Sequence, residues 1–372
     1  MPKPQLQEIN LQGFKSIKKL NLEFRPLNVL IGANGAGKSN LVSFFKMLNE
    51  MMGGRLQQYI AAGGRSQSIL HFGPKVTPQL EAKLRFQVDN GVDTYEMRLF
   101  HAAGDTLVFA DETLSFLQTG WQGQPRIHSL GAGHRETRIP DEAGGGEPTA
   151  KYFRYLLNEC RVYHFHDTSS TARVRQSCYI GDNRWLMPDA GNLAALLFRL
   201  KNDEENGAYH RIVSTIRLIV PFFEDFDLEP TAPSKRDIIL NWRHKQSDLL
   251  FGPHQLSDGT LRAICLITLL LQPEDELPDL IIVDEPELGL HPYALTVIAS
   301  LFKKASHQTR VLVSTQSSSF LDSFEPEDVI VVDRNEQESR FERPSPSALQ
   351  SWLQEYSLGE VWEKNVIGGG PH

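Results

Sequence analysis

The chain has 372 residues, 46 acidic against 38 basic side chains, and a formal charge of −8. At about 100–200 residues per domain, that length allows two domains or one large domain with an insertion, and buries a core without disulfide or metal staples. A hydrophobic fraction of 40% and a charged fraction of 23% exclude disordered, collagen-like and coiled-coil classes, and the acidic balance confines any nucleic-acid contact to a local basic patch. No apolar run approaches the ~20 residues of a membrane span; the strongest is Ala263–Leu271. The opening MPKPQLQEIN lacks a signal-peptide core, so a cytoplasmic protein with no membrane partner is expected. Cys160, Cys178 and Cys265 share no close spacing, which suits reduced thiols better than a zinc site.

Leu6, Ile9 and Leu11, then Leu20, Leu22 and Phe24, read as two short strands with a turn at Gly13–Ser16. Leu27–Ile31 is apolar almost throughout, as a strand buried on both faces should be. It leads into GANGAGKSN and a helix from about Lys38 to Met52, with Leu41, Phe44, Phe45 and Leu48 on one face. Gly53, Gly54, Gly63 and Gly64 loosen the chain afterwards. Residues 79–117 alternate as several strands, divided by turn signals at Asp89–Gly91 and Gly104–Asp105, which predicts an antiparallel lobe. From about Gly120 to Thr149 the Gly-, Pro-, His- and Arg-rich composition reads as loop or lobe boundary. Helices are expected at Lys151–Glu159, Asn192–Lys201 and Tyr209–Val220, and Phe222–Asp227 reads as a capped turn. Then come strand Ile238–Trp242, helix Thr260–Leu271, strand Leu280–Val283, helix Pro292–Ala305 and strands Val311–Ser314 and Val329–Val332. Strands separated by such helices imply a largely parallel sheet.

Gly32-Ala33-Asn34-Gly35-Ala36-Gly37-Lys38-Ser39 satisfies the phosphate-loop pattern in full, between a buried strand and an amphipathic helix. The glycines let backbone N–H groups turn inward around a polyphosphate, and the helix adds its positive end. Lys38 reaches the β- and γ-phosphates and the Ser39 hydroxyl ligates Mg²⁺, so ATP and Mg²⁺ are the expected cofactors. The cradle is assigned to Asn34, Gly35, Ala36, Gly37, Lys38, Ser39 and Asn40. Leu280–Val283 ends in Asp284 and Glu285: a strand that stops there delivers Asp284 to the metal shell, while Glu285 orients or deprotonates the attacking water.

Gln255-Leu256-Ser257-Asp258-Gly259-Thr260 precedes a helix and by itself reads as a helix cap. Alongside the other two motifs it resembles the signature of ABC-type ATPases. Pro286-Glu287-Leu288-Gly289-Leu290-His291-Pro292 is similar to the D-loop region of one branch of that superfamily, and Gly13-Phe14-Lys15-Ser16-Ile17 resembles the motif that opens RecF- and SMC-type heads. The resemblance is to RecF/SMC-like ABC ATPases, over about residues 5–75 and 235–335. Within them it is nearest to compact ATPases whose motifs also head the overcoming-lysogenization-defect nucleases. The ending Tyr356-Ser357-Leu358-Gly359-Glu360-Val361-Trp362 is similar to that compact group too, without a mechanism attached.

The resemblance implies an α/β P-loop NTPase head of ABC type: a mostly parallel sheet with helices, an antiparallel β lobe, and an inserted compact, partly helical lobe. The expected division is 1–118 and 231–340 for the two parts of the head, 119–230 for the insertion and 341–372 for a tail. It implies a homodimer sandwiching ATP, in which Ser257, Asp258 and Gly259 contact the γ-phosphate held by the other copy. Lys15 and Ser16 would lie near the nucleotide. Glu285, Gln316 and Lys38 would be the catalytic set, and Ser39 and Asp284 the metal ligands. Gln316 stands where a switch histidine is usual and holds water or phosphate without carrying a proton charge. Asp258 replaces a second glycine, His291 stands at the D-loop aspartate position, and Gln67 is a weak Q-loop candidate.

The stretch between Ser39 and Ser257 is too irregular for SMC coiled-coil arms. Its Arg-containing segments Arg126–Arg138 and Tyr163–Arg175, with Lys235–Lys245, are candidates for double-stranded DNA contact. His164 and His166 read as structural residues on a strand. The chain after Val332 leaves no room for a nuclease domain, so a separate effector protein such as a nuclease is a candidate partner. Setting and activity are expected to be ATP hydrolysis in DNA repair or antiphage defence, the competing expectation being a regulatory scaffold with little hydrolysis.

Overall fold

The computed structural model describes residues 3–370 apart from 204, 206, 336 and 337. The chain forms two compact units, one of Met1–Val162, Pro278–Ile282 and Thr309–His372, the other of Tyr163–Leu277 and Val283–Gln308.

The alternating apolar positions of the opening segment form β1 (Gln5–Phe14) and β2 (Ile17–Glu23), an antiparallel hairpin that closes with Phe14 opposite Ile17. Every residue of β3 (Leu27–Ile31) is buried. α1 (Lys38–Met52) buries Leu41, Phe44, Phe45 and Leu48, the face expected from the spacing. The glycine-flanked stretch after it is helical rather than loose, as α2 (Leu56–Ala62) and α3 (Arg65–Ile69). The start of α2 is capped from far along the chain: the Glu136 carboxylate accepts from Leu56 N (2.8 Å) and Gln57 N (2.9 Å).

Next come β4 (Gln79–Val88), β5 (Gly91–Ala102) and β6 (Thr106–Gln118). The stretch 120–149, expected as loop or lobe boundary, contains β7 (Arg126–Gly131) and α4 (Ile139–Gly144). Leu130 and Ile139 bury there, and the Glu112 carboxylate accepts from Arg138 N and from the Thr137 hydroxyl, which orders the segment. The first sheet runs β2-β1-β4-β5-β6-β7. α5 (Pro148–Asn158) and β8 (Cys160–Tyr163) follow.

The second unit holds β9 (Cys178–Tyr179), α6 (Leu193–Asn202), α7 (Ala208–Ile219), β10 (Phe223–Asp227), β11 (Asp237–Ile238), β12 (Asn241–His244), β13 (Ser247–Phe251) and α8 (Asp258–Leu270). Here the expected turn at Phe222–Asp227 is a strand, and the expected strand Ile238–Trp242 is broken in two. The reason is pairing: β11 pairs with β9, while β12 lies between β10 and β13 and packs Trp242 against Phe223 and Phe251. His164 and His166 fall just beyond β8 rather than on a strand.

The rest of the chain is β14 (Leu280–Asp284), α9 (Pro292–Ser306), β15 (Arg310–Thr315), α10 (Ser318–Leu321), β16 (Val329–Asn335), β17 (Glu338–Glu342), α11 (Pro346–Leu349) and α12 (Leu358–Glu363). The second six-stranded sheet is ordered β17-β16-β3-β15-β14-β8, with β3 parallel to both β15 and β16. β17 turns back antiparallel to β16, and the segment after it folds onto the first unit instead of trailing away. Among the described residues no helix is long and apolar enough to cross a membrane.

Candidate functional site

β3 delivers the chain to the phosphate loop at its C-terminal end. Gly37 has φ +114°, and a Cβ there would stand 2.0 Å from the Ser339 hydroxyl, so the position admits only glycine. No side chain caps α1 and no acidic residue lies in its first turn. A long helix with an uncapped start directs its first amides and its positive dipole at whatever anion sits before it. Lys38 is buried, its ammonium donating to the carbonyls of Gly32 (2.6 Å) and Ala33 (3.2 Å).

The Lys15–Ser16 turn reaches the same loop. Asn40 Nδ2 donates to Ser16 Oγ (2.5 Å), Ser16 lies 2.6 Å from Ser339 Oγ, and Ser339 donates to the Ala36 carbonyl (2.5 Å). Because Ser339 uses its proton on Ala36, Ser16 is the donor of the middle bond. Arg334 Nη1 donates to the Gly35 carbonyl (3.2 Å), so the β16–β17 hairpin fixes two carbonyls of the loop. Lys15 sits at φ +49°, with its amide on the Ile69 carbonyl and its own carbonyl accepting from His71 Nδ1. Burial, and secondarily the charge of Lys46, lowers the Lys15 pKa. Two neighbouring cations suit an anionic ligand.

In the second unit, Asp284 closes β14 and is buried, and its Oδ1 has no hydrogen-bond partner among the described residues. An orphaned carboxylate oxygen of this kind costs free energy unless a ligand takes it up, and a hard cation such as Mg²⁺ matches its chemistry. The Asp284 carbonyl accepts from His166 Nε2 (2.9 Å), which fixes the proton on that ring nitrogen. Glu285 follows at φ +45°, in the left-handed region that non-glycine residues rarely occupy.

Ser257 is the N-cap of α8, accepting from Thr260 N (3.2 Å). Asp258 is held below the usual carboxylate range, chiefly by Thr168 and then by Arg175, whose Nη2 lies 2.8 Å from its Oδ1. A Cβ on Gly259 would stand 2.0 Å from the Gly289 carbonyl, so the start of α8 packs directly on the Glu285–Pro292 loop. His291 caps α9. Gln316 directly follows β15 in the first unit, and Ser317 beside it caps α10.

The roles of two arginines escaped the sequence reading. Arg262 donates to the carbonyls of Phe165 (3.1 Å), His166 (2.8 Å) and Leu288 (3.0 Å). Arg175 is buried and donates to the carbonyls of Thr168 (2.8 Å), Leu256 (3.1 Å) and Pro253. Arg175 had counted among the residues for DNA contact; its burial removes it from that surface. Both arginines meet backbone carbonyls, which carry no sequence signal. The only hint was Arg262 lying one helical turn after Gly259. His166 likewise bonds a carbonyl beside the acidic pair, so its structural role includes the site.

A phosphate loop at a β–α junction, an acidic pair ending a strand of a mostly parallel sheet, and a capped helix start between them in sequence define a P-loop NTPase-type α/β protein. Two family models match: one described as "AAA domain" over residues 8–114, the other as "AAA domain, putative AbiEii toxin, Type IV TA system" over 166–322. No curated protein sequence matches the chain. Among solved structures, an Smc head bound to the C-winged helix domain of ScpA superposes with a TM-score of 0.58 at 15% identity, covering 93% of this chain and 99% of that one. The Pyrococcus furiosus Smc head with an extended coiled coil, bound to the C-terminal domain of ScpA, gives 0.57 at 15% identity, covering 95% and 99%. The Pyrococcus yayanosii Smc head with a coiled coil and joint gives 0.53 at 13%, covering 95% and 99%. The chain thus has the fold of Smc head domains, with AAA-domain family models matching its two parts.

Proposed function

We propose that this protein binds and hydrolyses ATP with Mg²⁺ and dimerises around the nucleotide, serving DNA repair or antiphage defence on DNA or through a separate effector protein. The observation that carries the reading is the uncapped start of α1 with buried Lys38 beside it. In this reading the cradle Asn34–Asn40 and Lys38 hold the phosphates, with Lys15 and Ser16 at their rim. Ser39 and Asp284 ligate the metal, which when bound neutralises charge on the phosphate oxygens. Glu285 orients and deprotonates the water, and Gln316 reads the γ-phosphate by hydrogen bonds. Ser257, Asp258 and Gly259 present a helix start to the nucleotide of a second copy.

The defence setting is supported by the toxin–antitoxin description of the matched family model, and a protein effector by the Smc heads solved with a ScpA domain. Arg126 and Arg135 remain exposed for DNA. A regulatory scaffold with little turnover is the second reading, favoured by glutamine at 316, which cannot carry a proton charge. Glu285→Gln separates the two. Turnover should fall by about 10²–10⁴ while ATP-dependent dimerisation, followed by light scattering, persists. Unchanged turnover removes Glu285 as the base, and a wild type without turnover that still dimerises on ATP selects the scaffold. ATPase rates with and without double-stranded DNA then separate a DNA-acting enzyme from one that answers to a protein.

A further inference from the structure

The stretch Tyr356–Trp362 has no part in the site as described, yet Ser357–Trp362 each have a visible task. Ser357 and Glu360 close a capping box on α12, each side chain accepting from the other's backbone amide (3.3 and 2.8 Å). Leu358, Val361 and Trp362 are buried. Gly359 N donates to Asp322 Oδ1 (2.6 Å), and a Cβ at 359 would stand 2.5 Å from the Ser318 carbonyl. That glycine lets α12 lie directly on α10, the turn that begins just after Gln316. At the other end, Trp362 Nε1 donates to the Gly369 carbonyl (2.8 Å), and the same oxygen accepts from Ala33 N (3.0 Å), inside the phosphate loop.

The consequence follows from the planarity of the peptide bond. Ala33 N and the Gly32 carbonyl are the two ends of one peptide plane. The first is bonded to Gly369 and the second accepts from Lys38 Nζ at 2.6 Å. Fixing the amide end fixes the rotation of the plane, and with it the carbonyl that orients the lysine. We propose that residues 357–370 form a positioning strap: Trp362 acts through Gly369 and the Gly32–Ala33 peptide on Lys38, while Gly359 ties the same strap to the turn after Gln316. The strap holds the phosphate-binding lysine and the phosphate-reading glutamine in one element. This rests on the ATP-site reading above.

The test is Trp362→Phe, which keeps the buried ring and deletes its N–H, beside Asp322→Ala, which cuts the other tie at an exposed side chain. Hydrogen exchange is followed without nucleotide over the peptide containing Ala33, and binding of a fluorescent ATP analogue with Mg²⁺ is titrated. Trp362→Phe should speed exchange at the phosphate loop, leave exchange in β1 and β2 unchanged, and weaken ATP-analogue binding about tenfold. Asp322→Ala should weaken it about threefold. Faster exchange with undiminished affinity overturns the positioning role, and unchanged exchange overturns the strap itself. If the wild type binds no nucleotide, the ATP-site reading fails, and the exchange arm still decides whether the strap fixes the loop.

Discussion

The phosphate-loop motif in the first unit and the signature-like helix start in the second are both backbone stretches of the candidate site, yet they are secured by opposite means. The loop is tied by several neutral or exposed groups from different parts of the chain: Ser16, Ser339, Arg334 and the Gly369 carbonyl. The signature and its neighbouring loop depend on two guanidinium groups, Arg175 and Arg262, each bonding three carbonyls. A distributed support loses about 0.5–1.5 kcal/mol when one member goes. A single buried cation serving several acceptors leaves all of them unsatisfied at once.

That contrast sets the order of expected effects. Arg175→Ala strips partners from the Thr168, Pro253 and Leu256 carbonyls, each worth about 1–3 kcal/mol when buried without one. Loss of about 3–5 kcal/mol is expected in urea unfolding of the second unit, and a loss below 1 kcal/mol would erase the contrast. Gly259→Ala forces a methyl against the Gly289 carbonyl and should cost about 1–3 kcal/mol, read as a lower melting temperature. Ser339→Ala should cost only about 1 kcal/mol, because Arg334 and the strap still hold the loop, and ATP affinity should drop a few-fold. A collapse on this change would show the loop to be no better distributed than the signature.

The last expected effect is electrostatic. Burial, followed by the charge of Glu159, pushes the Asp279 carboxyl up to about 7. The folded first unit thus keeps a proton that the unfolded chain releases near pH 4, so this group contributes stability below that pH. The contribution declines as pH rises toward 7, by at most about 1.4 kcal/mol per pH unit. Asp279→Asn should flatten the slope of urea stability between pH 4 and 7, and a wild-type curve already flat there would refute the assignment.

Much of the architecture could be read from the residues because its signals are local. The apolar run Leu27–Ile31, the one-sided helix Lys38–Met52 and the strand into Asp284–Glu285 each carry their own period. What escaped was held from a distance. α2 depends on Glu136, β7 on pairing to Phe116 and on burial of Leu130, and β10 on Trp242. The motif positions of the candidate site were legible for the same local reason. Their supports were not, since Arg175, Arg262, His166 and Trp362 all meet backbone carbonyls, and any residue has a carbonyl.

Glu285 carries one further consequence. A side chain at φ +45° costs about 1–2 kcal/mol relative to glycine, so the chain keeps a carboxylate where its own backbone favours no side chain. With Glu285 as the base proposed above, reactivity and stability are in direct opposition at this position. On that proposal, selection for heat resistance alone would drift toward glycine at 285 and silence turnover, so thermostabilising this protein by library screening requires an activity gate at that codon.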